Sequence, residues 1–353
     1  MIRMKIAIIT LPFHVNYGGY LQAYALQYVL DGLGNKASVV VFDKFPKWRV
    51  WLSYLKWKLL KKIRSRYGVE DSFKDFLMLK INKVYYKSFK EIQERDFDGY
   101  VVGSDQVWRK KFVKDITYAF LGFTKDWNVK RIAYAPSFGI TDWDYTKDET
   151  LMCRELLSKF DNVSVREKSG AELCEEHLGV IPFIALDPTL IAPKSAYVQL
   201  LDKKIKKGGA FIYFVKKNEA IINVMDVLNA LKISKYKEVM LPCKGYITGK
   251  LPTVSDWLSY IVNADVVLTD SFHACVFCLI FHKPFLVMPC GWGGKSRFES
   301  LLSPLGLNYR VLIDMSQDLS TLLYRKIEWK EIDKKMAEKR NASLKFLSDA
   351  IAL

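Results

Sequence analysis

The sequence lacks the features that would place it in a membrane or in an oxidising compartment. No apolar run reaches the roughly 18 residues that a transmembrane helix needs. The apolar run in the opening MIRMKIAIITLPFH is too short for a secretory signal, and no small-residue cleavage site follows it. The six cysteines are scattered, mostly within apolar stretches, which is typical of reduced core thiols rather than of a disulfide framework. We therefore expect a cytoplasmic protein.

Several common ligand-binding motifs are also absent. No G-x-G-x-x-G follows the first predicted strand, and PCGWGGKS ends like a P-loop but has Pro289 where that motif requires its first glycine. The sequence contains no recognisable nucleic-acid-binding module, no internal repeat and no low-complexity tract. We therefore expect no nucleic-acid partner, and the site has to be found from other residues.

Length and composition predict two globular domains. A chain of 353 residues is longer than one hydrophobic core usually supports. Because half of its residues are hydrophobic and 14% are aromatic, it can fill two hydrophobic cores. Short apolar strands alternate with helical patterns up to LDPTLIAPKS, residues 186–195, whose prolines are typical of a linker, and the alternation then restarts. The sequence predicts an α/β protein with two Rossmann-like domains facing across a cleft, residues 1–186 and 187–330. A C-terminal helix, residues 331–353, is predicted to pack back across the boundary.

Positive charge is concentrated in one segment. The net charge of +16 favours a partner that carries phosphates, and between Lys44 and Val69 lie nine basic residues and no acidic one. Most of the basic side chains lie on one part of the predicted helix, and large apolar side chains recur at helical spacing on another. These apolar residues are Trp48, Trp51, Leu52, Leu55, Leu59 and Ile63. This apolar stripe either packs against its own domain or lies in the interface of an anionic membrane, because tryptophan and lysine together favour headgroup depth. On the second interpretation the protein would associate peripherally with the inner face of the membrane.

Candidate ligand-binding residues follow the predicted strands, because open α/β sheets bind ligands outside the carboxyl ends of their strands. After the first strand, NYGGYLQ contributes Asn16, Gly18, Gly19 and Gln22, which together with Asp105 are the residues that we predict to bind the acceptor. Its glycines let a backbone approach a ligand and the helix that follows favours an anion, although a plain tight turn explains the same residues. Asp105, in VVGSDQVW, follows another buried strand. It is placed to act as a base, to accept a hydrogen bond from a hydroxyl group, or to cap a helix.

Three basic residues stand at later strand ends. Arg166, in NVSVRE, ends a strand of alternating pattern, where it either pairs with a carboxylate or binds a phosphate or carboxylate ligand. Lys295 and Arg297 come just after the strand that ends near Met288 and are available to an anion.

A histidine opens the helix that follows one of the strands of the second half. His273 comes after Ser271 and Phe272, and its imidazole together with the N–H groups of its neighbours can address one anion. A zinc site is the competing interpretation, because Cys275, Cys278, His282 and Cys290 share this stretch. The spacing does not match paired knuckles, and residues 274–281 form a nearly all-apolar helix in which cysteine behaves as a small hydrophobe. We therefore expect no metal.

An ordered set of motifs resembles the polysaccharide pyruvyl transferase family over roughly residues 5–310. The motifs are NYGGYLQAYAL, YVVGSDQVW, IAYAPSFG, SVRE, LDPTL, DVVLTDSFHACVFCLIFHKPFLV and SRFESLLSPLGL. The resemblance implies a two-domain fold like that of GT-B glycosyltransferases. It also implies transfer of the pyruvyl group of phosphoenolpyruvate onto two hydroxyls of a sugar, with a cyclic ketal formed, phosphate released and no further cofactor.

The resemblance also assigns roles within bacterial surface polysaccharide synthesis, where the acceptor is expected to be a lipid-linked oligosaccharide. It marks His273 and Arg166 as donor-binding, with Ser271 and Phe272 beside the histidine. In one branch of the family an arginine stands two residues before this histidine, whereas here the position is Ser271, so we expect Lys295 or Arg297 to hold the donor phosphate. The chemistry needs a proton donor and a base, for which we predict His273 and Asp105. The alternatives are a GT-B glycosyltransferase that uses a nucleotide sugar and a non-catalytic protein recruited to a membrane.

Overall fold

The computed structural model describes residues 4–43, 47–61, 71–215, 223–241, 251–288, 295–314 and 316–352. By its contacts the chain divides into two compact units. The first unit comprises Met1–His14, Gly19–Ala192 and Asn341–Leu353, and the second comprises Val15–Gly18 and Pro193–Arg340.

The first unit is built on a parallel sheet. Its strands are β1 (Lys5–Ile9), β2 (Lys36–Phe42), β3 (Lys83–Tyr86), β4 (Gly99–Val102), β5 (Lys130–Ala133), β6 (Asn162–Val165) and β7 (Phe183–Ile184). Among the described residues these seven strands lie in the order β3-β2-β1-β4-β5-β6-β7, and each neighbouring pair is parallel. The central strands read as apolar runs because both faces of a parallel sheet are covered.

The helices that begin before residue 193 connect and flank these strands. They are α1 (Tyr17–Gly32), α2 (Lys47–Lys61), α3 (Asp71–Lys80), α4 (Lys147–Leu157), α5 (Lys168–Leu173) and α6 (Pro188–Ile191). Local sequence fixes several of these starts. Thr146 and Glu149 form a reciprocal capping box at α4, and Asp187 caps α6 ahead of a proline at the first helical position.

The second unit repeats the α/β arrangement on a smaller sheet. Its strands are β8 (Ala210–Phe214), β9 (Tyr236–Met240), β10 (Val266–Thr269) and β11 (Phe285–Val287). Its helices are α7 (Lys194–Val198), α8 (Val224–Ala230), α9 (Val254–Asn263), α10 (Phe272–Phe281), α11 (Lys295–Leu302), α12 (Leu319–Tyr324) and α13 (Trp329–Ala350). The described strands lie parallel in the order β11-β10-β8-β9. The predicted α/β class with two parallel-sheet units is thus confirmed.

The observed division differs from the predicted domain limits in two respects. The chain passes from the first unit to the second after Ala192 rather than after Leu186, and the linker segment LDPTLIAPKS contains α6 and the first residues of α7. Residues 15–18 belong with the second unit, which the sequence did not indicate. Helix α13 starts in the second unit, and its residues from Asn341 onwards belong to the first. None of the helices in the described part of the chain combines the length and apolarity needed to cross a bilayer.

Candidate active site

His273 and two polar neighbours, Asp270 and Ser271, lie where the order of the strands of the second unit reverses. From β8 the chain runs through α8 to β9 on one side, and it later places β10 on the other side of β8. The carboxyl ends of β8 and β10 therefore flank a topological switch point, where open α/β sheets bind ligands. His273 lies at this point because only Asp270 and Ser271 separate β10 from α10.

Hydrogen bonds fix the turn between β10 and α10. The backbone N–H of Val215, just past β8, donates to Asp270 Oδ1 at 2.6 Å, and Thr269 Oγ1 donates to the carbonyl of Tyr213 at 2.6 Å. Thr269 Oγ1 also accepts from the N–H of Ser271 at 3.0 Å. Ser271 caps α10, since its Oγ accepts an N–H of the first helical turn at 3.4 Å. The start of α10 is thus tied to both strands of the switch point.

His273 is packed against a glycine from the other end of the sequence. The histidine is buried, with 7% of its surface exposed. A Cβ placed on Gly18 would lie 2.0 Å from Nδ1 and 2.4 Å from Cγ of the imidazole. The ring of Phe272 meets the imidazole edge-on, with 5.4 Å between the ring centroids. Glycine is therefore required at position 18, because a side chain there would occupy the place of the imidazole.

The segment 15–18 is anchored in the second unit by its tyrosine. The ring of Tyr17 stacks on Trp257 at 5.0 Å with an interplanar angle of 8°, and it meets Tyr213 edge-on at 5.6 Å. The Tyr17 hydroxyl donates to the carbonyl of Pro252 at 2.8 Å. Burial raises the pKa of Tyr17 far above its ordinary value, so the hydroxyl remains a neutral donor. Tyr17 thereby holds the neighbouring Gly18 against the histidine, a role that the sequence did not reveal.

The first unit has its own switch point, between β1 and β4. Gln22 Nε2 donates to Thr10 Oγ1 at 3.0 Å and to the carbonyl of Gly19 at 3.0 Å, and the Thr10 hydroxyl donates to the carbonyl of Ser104 at 3.4 Å. These bonds join the end of β1, the first turns of α1 and the turn after β4. Gln22 is buried and braces this backbone. Asn16, by contrast, belongs to the second unit and accepts the N–H of Gly18 at 3.1 Å.

Asp105 follows this turn in an unusual backbone conformation. Its φ is +79°, in the region that favours glycine. The conformation is held by a β-bridge to Pro136 and by the N–H of Ser137, which donates to the Asp105 carbonyl at 2.9 Å. The Asp105 carboxylate accepts the N–H of Gln106 at 2.9 Å and caps no helix in the described part of the chain. Strained backbone of this kind clusters at functional sites, so Asp105 stays a candidate site residue.

Arg166 lies after β6 and is enclosed by carboxylates. Its NH1 donates to Asp187 Oδ2 at 2.9 Å, its Nε lies 3.5 Å from Glu167 Oε2, and all three side chains are buried. Burial would lower the pKa of Arg166, but the surrounding carboxylates, Glu167 first, raise it above its ordinary value, so the guanidinium stays charged. Two carboxylates already balance this charge. The geometry therefore favours the structural alternative, pairing with carboxylates, over binding of the donor.

Asp187 is the centre of this cluster and was not among the predicted site residues. It accepts a hydrogen bond from Ser104 Oγ at 2.7 Å and from the N–H and hydroxyl of Thr189 at 3.0 and 2.6 Å. The partner carboxylate, Glu167, accepts from the hydroxyl of Ser137. The cluster joins the turns after β4, β5 and β6 to the start of α6, and so supports the backbone around Asp105. The sequence feature that could have identified Asp187 is the Asp-Pro of LDPTL, because this pair is typical of the start of a helix.

Helix α11 brings a predicted cation close to α10. Phe298 packs on Phe272 with 6.4 Å between the ring centroids, and Arg297 immediately precedes it with a half-buried side chain. Lys295 begins α11, but its side chain lies outside the described part of the structure.

The cysteines near His273 are packing residues of the core. Cys275 and Cys278 are buried within α10, and burial raises the pKa of both thiols well above the ordinary range. His282 ends α10 and pairs through Nε2 with Asp333 Oδ1 at 2.9 Å, while Cys290 lies outside the described residues. Over the described ranges, no group of three His, Cys, Asp or Glu side chains is arranged to hold a metal ion. The described thiols are therefore protonated at neutral pH.

Two parallel-sheet units, each with polar residues at its switch point, define a GT-B-like protein, and solved structures agree. UGT89C1 of Arabidopsis thaliana, complexed with UDP-L-rhamnose, is 10% identical with a TM-score of 0.57, over 99% of this chain and 99% of that chain. The UDP-GlcNAc 2-epimerase from Neisseria meningitidis, bound to UDP-GlcNAc, is 12% identical with a TM-score of 0.52, over 98% of this chain and 99% of that chain. At these identities the likeness shows the fold.

The family is given by sequence. The family model described as polysaccharide pyruvyl transferase matches residues 16–291, and the chain belongs to this family of transferases. A comparison with curated proteins found no match. The matched range includes Gly18, Asp105, Arg166 and His273, so the residues around both switch points fall within the family's shared region.

Proposed function

We propose that the protein transfers the pyruvyl group of phosphoenolpyruvate onto two hydroxyls of a sugar, forming a cyclic ketal and releasing phosphate. The family supports the class of transfer. The observation that carries the proposal is the position of His273, a buried imidazole at the start of a helix and at the switch point of its sheet. A site of this kind suits a small anion that has to receive a proton.

The donor carries a phosphate and a carboxylate, and in the proposal it binds at the start of α10. The N-terminal end of this helix carries a partial positive charge that attracts anions. Ser271 supplies the helix cap rather than a cation, so the charge that an arginine provides in another branch of the family has to come from elsewhere. Arg297 is the proposed source, because Phe298 beside it packs on Phe272. Phosphoenolpyruvate acts as a co-substrate, and the scheme uses no further cofactor.

In the proposed reaction His273 donates a proton to the methylene carbon of phosphoenolpyruvate, which becomes the methyl group. The adjacent carbon takes on oxocarbenium character, and the first sugar hydroxyl forms a C–O bond to it while Asp105 receives the hydroxyl proton. Phosphate leaves as its C–O bond breaks, and the second hydroxyl closes the ketal. Of the two hydroxyl protons, one balances the proton used to form the methyl group and the other leaves with phosphate.

The proposed acceptor is a sugar carried on a lipid pyrophosphate. Such an acceptor is anionic, and the net charge of +16 favours an anionic partner. Comparing the rate of transfer to the lipid-linked sugar with the rate of transfer to the free sugar tests whether the lipid pyrophosphate contributes to acceptor binding.

The test is incubation of the purified protein with phosphoenolpyruvate and a panel of sugars, each offered free and on a synthetic lipid pyrophosphate. We expect phosphate release that depends on both substrates and a product whose mass matches addition of one pyruvyl ketal. His273→Ala should lower the rate by about 100- to 10,000-fold. His282→Ala is the matched control, because this histidine lies at the far end of the same helix and pairs with Asp333. Transfer from a nucleotide sugar without any use of phosphoenolpyruvate would contradict the proposal and favour a glycosyltransferase.

A further inference from the structure

Helix α2 turns a row of large apolar side chains towards solvent. Trp48 is 60% exposed, Leu52 56%, Leu55 47% and Trp51 36%. Spacings of three and four residues place these side chains on one face of the helix. A contiguous exposed apolar face of this kind marks an interaction surface.

The helix is attached to the protein through a different face. Tyr54 is buried, and its hydroxyl donates to Asp75 Oδ1 of α3 at 2.7 Å. The ring of Trp57 stacks on Tyr54 at 5.7 Å, and the Lys74 ammonium of α3 lies 5.4 Å from the centre of the Trp57 ring. The first alternative for the apolar stripe, packing against its own domain, therefore does not hold for the four exposed side chains. Ile63, also predicted in the stripe, lies outside the described residues.

Basic side chains border the exposed face. Arg49, Lys56 and Lys58 are exposed, and the Arg49 guanidinium lies 5.5 Å from the centre of the Trp48 ring. On the helical wheel Arg49 and Lys56 fall on one side of the apolar face and Lys58 on the other. The sequence has no acidic residue between Lys44 and Val69. A partner that fits this face therefore has both an apolar interior for the large side chains and negatively charged groups for the basic ones.

We propose that α2 docks in the surface of an anionic lipid bilayer. The docking face consists of Trp48, Trp51, Leu52 and Leu55 with the flanking Arg49, Lys56 and Lys58. The apolar side chains enter the boundary between headgroups and acyl chains, and the basic ones contact lipid phosphates. A second copy of the chain fits less well, because a two-fold interface would set the same positive charges against each other. Nucleic acid would use the charges but leave the apolar side chains without a partner.

The charge is tested by co-sedimentation with vesicles of phosphatidylcholine with and without phosphatidylglycerol. We expect binding at low salt that depends on phosphatidylglycerol and weakens as ionic strength rises. Changing Arg49, Lys56 and Lys58 together to Glu should lower the vesicle partition coefficient by about 100-fold. The matched control changes the exposed Lys203, Lys204 and Lys206 to Glu, which alters the net charge equally, and it should keep binding within about fivefold.

The apolar part is tested with the charges left in place. Leu52→Gln with Leu55→Gln should weaken binding by at least about tenfold. The control is Leu151→Gln with Met152→Gln, because these side chains of α4 are 63% and 45% exposed and lie outside α2. Brominated lipids should quench the tryptophan fluorescence of the wild type, and Trp48→Phe with Trp51→Phe should remove most of that quenching.

Three outcomes would overturn the proposal. They are no binding of the wild type to anionic vesicles at low salt, equal losses in the target and control variants, and a wild-type dimer in solution that Leu52→Gln with Leu55→Gln dissociates. Circular dichroism checks that each variant is folded. The binding assay contains neither donor nor acceptor, so its failure is distinct from failure of the proposed transfer reaction.

Discussion

Substitution of Gly18 by alanine tests the importance of the His273 position without altering the imidazole. The added Cβ would lie 2.0 Å from Nδ1, whereas unbonded heavy atoms rest at about 3.5 Å, so relief requires a relative movement of about 1.5 Å. A displacement of about 1 Å in a reacting group can cost roughly 100-fold in rate. We therefore expect Gly18→Ala to lower kcat for ketal formation by about 100-fold.

The same substitution should leave the protein folded. Overpacking a core costs about 1–3 kcal/mol, and the preference of helices for alanine over glycine returns up to about 1 kcal/mol. The net loss in the free energy of unfolding should thus be about 0–3 kcal/mol, measured by denaturant titration. Gly32→Ala is the control within the same helix, because a Cβ there meets nothing within 4 Å, and it should keep full activity.

A double-mutant cycle separates this mechanism from general damage. With His273→Ala in the background the clash is absent, so Gly18→Ala should cost no stability and the two changes should not be additive. Full activity of a folded Gly18→Ala protein, or an equal loss of stability with and without the imidazole, would refute the reasoning.

Three further substitutions or measurements address the neighbouring groups. Asp105→Asn should slow turnover without changing the KM for phosphoenolpyruvate. Asp105→Gly should also slow turnover, and it should raise the free energy of unfolding by up to about 1 kcal/mol because glycine accepts the φ of +79°. Unchanged rates in both variants would leave Asp105 a structural residue. Arg166→Met should lower the free energy of unfolding by about 3–5 kcal/mol, since Asp187 loses its buried partner, and a stable variant with a raised donor KM would return Arg166 to donor binding. Cys275 and Cys278 should resist a thiol reagent at pH 8 until the protein is unfolded, and elemental analysis should find no stoichiometric zinc; about one zinc per chain would restore the metal interpretation.

The sheets could be predicted where the strands are fully buried. β1, β8 and β10 are apolar runs because parallel strands are covered on both faces, and short apolar runs of this kind are the pattern from which the strands were predicted. β3 and β7 lie at opposite edges of the first sheet, half-buried or exposed, so neither has a distinct apolar pattern. Edge strands of two to four residues are fixed by their neighbours rather than by their own composition.

The expectation that ligands bind at the carboxyl ends of the strands located the candidate residues, but it did not identify the residues that contact them. His273 and Asp105 were predicted from the strands they follow, and both lie at switch points. The contact between Gly18 and His273 joins distant parts of the sequence, and no local pattern encodes it. Arg166 shows the same limit, because its carboxylate partner Asp187 is 21 residues away and only the fold reveals that its charge is already balanced.

The distribution of the chain between the two units has a consequence for how the protein is made. The first unit includes the last turns of α13, where Ser343 Oγ accepts the N–H of Leu186 at 3.0 Å and Phe346 stacks on Phe183 at 5.1 Å. The second unit includes Tyr17, whose ring packs on both Tyr213 and Trp257. On the ribosome the first unit is therefore completed only after residues 193–340 of the second unit have been translated, and a fragment starting at Pro193 would lack the tyrosine of the second unit's aromatic cluster. Neither half is a self-sufficient module, so this enzyme should resist being divided into separately expressed parts.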